Sequence, residues 1–92
     1  MIDYALIPEG IMAGLRRYVD EGISPGHFLT AVLENNLVEA LGRADEDSQL
    51  ALHSIVAWVW NEAPAACWGD AQRMQRWQAM HAKRRQATEV NP

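Results

Sequence analysis

Arg73, Trp77, Met80 and Arg84 recur at steps of three, four and seven residues within RMQRWQAMHAKRR (residues 73–85). On a helix such spacings place four side chains along one flank, where their tips can converge on one object. Guanidinium forks grip phosphate oxygens two at a time, and an indole face stacks on a base. With Arg76 beside them, the set has the composition of half a nucleotide site. A plainer reading competes with it. Lys83, Arg84 and Arg85 fall in a last helical turn, where cations complement the dipole, while Met74, Trp77 and Met80 suit packing on a bundle. Arg16 and Tyr18, late in an earlier segment, and Trp68, just ahead of the cluster, are the further candidates for the same ligand; ordinary solvated charge is the alternative for the arginines.

Other chemistry has less to stand on. His27, His53 and His81 lie on different segments without a paired metal-ligand spacing, so neither a metal nor a cofactor is expected. The single cysteine, Cys67, excludes an internal disulfide and offers no zinc framework. A nucleophilic role for it would need a histidine folded against it, and ACWG carries no accompanying signature. The expectation is a protein that binds and does not catalyse.

The elements that must position these residues follow from length and punctuation. Ninety-two residues allow one domain. Charge is split along it: residues 1–69 hold three arginines against ten acids, giving −7, whereas residues 70–92 hold five cations against two acids, giving +3. An acidic body argues against non-specific duplex binding, which needs a broad basic footprint, so DNA is not an expected partner. No run is apolar enough to cross a bilayer and no signal-peptide pattern opens the chain, which implies a cytoplasmic protein.

Four helices are expected, in an all-α bundle. The first covers 8–21, with Pro8 at its start and Gly22 as its stop. The second covers 25–41, with Ser24 as cap and Gly42 closing it. The third covers 46–62, with Asp45, Glu46 and Asp47 at its positive end. The fourth covers 71–86, capped by Asp70, and leaves 87–92 as a frayed tail.

The third segment, QLALHSIVAWVWNE, is the most informative. A helical wheel puts Leu50, Val56, Ala57 and Trp60 on one side and Leu52, Ile55, Trp58 and Val59 around the other. A helix apolar on all sides must be covered on all sides. Three short neighbours are few for that, so the excess should meet a second copy or a ligand; a two-fold dimer is expected as the commonest symmetry, and a central helix tightly wrapped within a monomer is the alternative. Trp58, Val59 and Trp60 are the candidate interface residues. Asn36 joins them, because it interrupts the apolar stripe of the second helix and a buried amide needs a partner: its symmetry mate or a ligand would supply one, the alternative being an amide only partly covered and hydrated.

The stretch PGHFLTAVLENNLVEALGRADEDSQLALHSIVAWVWNEAPAACWG, about half the chain, resembles a family of small phage and prophage proteins with a glycine-rich turn, an FLTAVL…EA.GRAD helix and an NE.P..CWG loop. The resemblance is to a pattern without an assigned activity. It implies a viral accessory role in the bacterial cytoplasm, of the kind that counters host defence. Two functions then stand side by side. One is stoichiometric capture of a small anionic nucleotide by Arg73, Arg76, Trp77 and Arg84, aided by Arg16, Tyr18 or Trp68. The other is a protein-interaction module in which Trp58, Trp60 and Trp68 supply hot spots for a host target.

Overall fold

The computed structural model describes residues 4–90, with side chains through Gln86. Among these residues there are five α-helices and no strand: α1 (Glu9–Glu21), α2 (His27–Leu33), α3 (Leu37–Arg43), α4 (Glu46–Glu62) and α5 (Ala71–Val90). Short 3-10 turns precede α1 (Tyr4–Leu6) and link α4 to α5 (Ala65–Cys67). The all-α class is as the sequence implies, but there is one helix more.

The extra helix arises because the expected 25–41 helix is two. Its apolar periodicity continues across the break, yet Asn35 adopts φ 67°, a left-handed conformation that ends α2. Asn36 then caps α3, its Oδ1 accepting the Glu39 N–H at 3.3 Å. Asparagine is among the few non-glycine residues that tolerate the left-handed region, and it is also a good cap. The amide placed in a buried seam is therefore an exposed helix start. At the other end, Gly42 lies within α3, which continues to Arg43. Nor does Ser24–Pro25 open α2: the helix begins at His27 with Gly26 in the cap position, while the Pro25 carbonyl accepts the Thr30 hydroxyl.

The remaining boundaries follow their expected chemistry. Gly22 stops α1 in the left-handed region (φ 68°), returning its N–H to the Tyr18 carbonyl. Asp45 caps α4 through Ser48 N–H at 2.8 Å, and these bonds hold its carboxyl below the usual range. Asp70 caps α5 through Arg73 N–H at 2.7 Å. The backbone of α5 continues helically to Val90, where a frayed tail from residue 87 was expected; residues 91–92 lie outside the described part.

Leu15 and Tyr18 of α1, Leu29, Val32 and Leu33 of α2, Ile55, Trp58 and Val59 of α4, Cys67 of the turn before α5 and Met74 of α5 form one core. From α3 only Ala40 is buried. Burying a large apolar side chain contributes about 1.5–3 kcal/mol, so the core face of α4 is set by Ile55, Trp58 and Val59. Trp58 and Val59, expected at a subunit interface, belong to the chain's own interior.

Candidate functional site

The basic flank of α5 is tied into the fold. α5 supplies donors to two carbonyls at the end of α1, that of Tyr18, which also accepts the Gly22 N–H, and that of Glu21. Trp77 Nε1 donates to the Tyr18 carbonyl at 3.1 Å, and Arg85 donates to the Glu21 carbonyl. A cation at that position also complements the negative end of the α1 dipole. Trp77 stacks edgewise on the buried His81, with ring centres 5.0 Å apart. Arg73 donates to the Trp68 carbonyl at 3.4 Å and lies 3.9 Å from the Asp70 carboxylate.

The aromatic members of the expected nucleotide site are similarly committed. Tyr18 is fully buried, and its hydroxyl donates to the Cys67 carbonyl at 2.7 Å. Burial, together with the nearby Cys67, raises its pKa well above the ordinary phenol value. Trp68 meets Trp60 edge to face at 5.8 Å. Arg16 and Arg84 are exposed. Of the expected ligand residues, Arg76 and Trp77 line a common depression, with Ala66 and Met80, in a shallow dent of about 310 Å³. The flank exists, but the stacking surfaces assigned to it are mostly packing surfaces.

The CWG segment is a wedge. Tyr18 holds the Cys67 carbonyl, Arg73 holds the Trp68 carbonyl, and Gly69 N–H donates to the Leu33 carbonyl at 2.7 Å. Three elements thus grip three consecutive residues. Cys67 is fully buried, and burial pushes its thiol from 9.0 up to about 11, the opposite of what a nucleophile needs. His27 and His53 are exposed, and among the described residues no three His, Cys, Asp or Glu side chains gather as metal ligands.

Besides Leu6, Ile23 and Met80, the large apolar side chains left exposed among the described residues lie on the outer face of α4 and the adjoining α3. Leu50 is 81% exposed and Trp60 73%, while Val38 of α3 is 87% exposed. Leu37 of α3 faces Leu52, Val56, Ala57 and Trp60 of α4 across an open groove of about 580 Å³, with His53 and Asn61 as its polar members. Leu41, one helical turn from Leu37, is also exposed. Each large apolar side chain left in water forgoes about 1.5–3 kcal/mol that burial would contribute. Trp60, expected at an interface, is on the surface; Leu37, Val38 and Leu41 join it there because the chain breaks at Asn35 before entering α3.

No family model, curated protein or solved structure matches the chain.

Proposed function

We propose that this protein is a non-catalytic binding protein that works by docking another polypeptide on the α3–α4 face. The observation that carries this reading is Trp60: a tryptophan at the mouth of an apolar groove, three-quarters in water, is the residue type most enriched where binding energy concentrates. Such a surface suits a small accessory protein that acts by stoichiometric blocking or redirection of a target, as the resemblance to phage-encoded proteins implies. Capture of an anionic nucleotide is less well served, since Tyr18, Trp68, Trp77 and Arg73 are engaged within the fold and the dent at Arg76 is shallow.

Site-specific photo-crosslinking tests the proposal. A photoreactive phenylalanine analogue replaces Trp60 or Val38, and in a control it replaces the exposed Glu9 on α1. Irradiation of living bacteria that express the protein should give a discrete polypeptide adduct from positions 60 and 38, whether with a second copy or with another chain, and none from position 9. Absence of any adduct at 60 and 38, or the same ladder of adducts from all three sites, would refute it.

A further inference from the structure

We infer that the hollow between α1 and the start of α2 binds a small organic anion, a single carboxylate on a compact apolar body. This hollow shares no lining residue with the α3–α4 groove, so the inference stands or falls apart from the docking reading.

The hollow is shaped by side chains that are missing. It measures about 260 Å³, and Gly10, Gly14 and Arg17 line it along one flank of α1, at successive steps of four and three residues. Gly26, just ahead of α2, lines it from the other side. Gly14 has a packing reason to be glycine, since a Cβ there would stand 3.1 Å from Cδ1 of Leu29. Gly10 and Gly26 have none. A Cβ on either would meet nothing within 4 Å, and neither has the left-handed backbone that favours glycine. Side chains at these two positions would narrow a cavity that the sequence keeps open.

The lining selects the kind of ligand. Ile11, Phe28 and Leu29 supply apolar wall, and Ile23 adds to it while remaining 42% exposed. An apolar cavity of about 150 Å³ accommodates benzene, so a ring of that size with a carboxylate attached matches the space here. Arg17 is the one charged residue of the lining, and it forms no ion pair among the described residues, whereas Arg43 and Arg73 have Glu39 and Asp70. The Ser24 hydroxyl, also in the lining, has the adjacent Pro25 carbonyl at 3.4 Å, long for an O–H···O bond, which leaves its proton free to turn to a ligand. A guanidinium fork and a hydroxyl beside apolar wall suit one carboxylate. A phosphate would bring a third oxygen and further charge with no other cation in the lining to answer them.

The test titrates the full chain with phenylacetate and cyclohexylacetate and with the neutral amide of each, followed by calorimetry and by NMR. At least one acid should bind saturably, and at least about tenfold more tightly than its amide, because the charge-assisted bonds to Arg17 are lost with the charge. Arg17→Gln should bring acid and amide to similar affinity. Gly10→Leu puts a side chain on the cavity wall at a position with room for it, so it should leave the urea midpoint unchanged or higher while weakening the acid at least about tenfold. Gly42→Leu makes the same exchange in equally open space on α3, away from the hollow, and should leave the affinity as it was. Circular dichroism confirms that each variant is folded. Failure of both acids to bind, an amide that binds as tightly as its acid, or binding that Gly10→Leu and Gly42→Leu affect alike would overturn the inference and leave the α3–α4 reading untouched.

Discussion

Replacing Gly22 with alanine tests how closely α5 is held against the end of α1. Two costs arise at this residue. Its φ of 68° is a conformation that an L side chain adopts at about 1–2 kcal/mol. A Cβ built there would stand 2.6 Å from the Cβ of His81, an atom fixed to the α5 backbone that no rotamer can move aside. Relief requires α5 to shift, and overpacking of that kind costs about 1–3 kcal/mol. The sum is about 2–5 kcal/mol. At the lower-middle value of about 3 kcal/mol, a domain of this size should melt roughly 12–24 °C lower. Asn35 provides the control. It has nearly the same φ, 67°, and is exposed, so Asn35→Ala incurs the backbone cost without the crowding and should lose only about 1 kcal/mol. Urea unfolding followed by circular dichroism measures both variants. If Gly22→Ala costs no more than Asn35→Ala, the close approach of α5 to α1 is wrong, and with it the account of Trp77 and Arg85 as donors to the end of α1.

Tyr18→Phe removes the hydroxyl that holds the Cys67 carbonyl and should cost about 1–3 kcal/mol in urea unfolding, with faster labelling of Cys67 by a thiol reagent. Unchanged labelling would show that the wedge does not depend on this bond. Cys67 also sets an alkaline limit. Below pH 9.0 its thiol is protonated in both states; above it the unfolded chain ionises while the folded one keeps its proton until about pH 11, so stability should fall across that window. The urea midpoint should drop more steeply between pH 9 and 10 in the parent than in Cys67→Ala, whose own decline begins only near pH 10.0, where the tyrosine of the unfolded chain ionises while the buried Tyr18 does not; parallel slopes would contradict the assignment.

The parts of the fold that were legible in the sequence are those written in local chemistry. Asp45, Asp70 and Gly22 punctuate helices as their side chains or lack of one require, and α1, α4 and α5 start or stop accordingly. The break between α2 and α3 was written as plainly, in two adjacent asparagines, but an apolar stripe running through both helices concealed it. The excess of apolar surface on α4 was evident from its wheel. Which side would be surplus was not, because that depends on where α1, α2 and α5 come to lie: Trp58 and Val59 went inward and Trp60 outward. Likewise, spacing placed the α5 arginines and tryptophan on one flank, and only the tertiary arrangement revealed that the end of α1 uses two of these side chains, Trp77 and Arg85. Arg43 pairs within its own helix with Glu39, a contact of small energetic weight at such exposure.

α3 has seven residues, one of them buried, and it follows a turn held by an asparagine in a left-handed conformation. So short a helix is not self-supporting in water, and α3 depends on its packing against α2. Its amides should exchange with solvent ahead of those in α4, since local opening begins where buried contact is thinnest. Of the two banks of the groove, the α3 side should therefore yield first and the α4 side keep its shape, which on the docking reading proposed above would let the furrow widen without disturbing the interior.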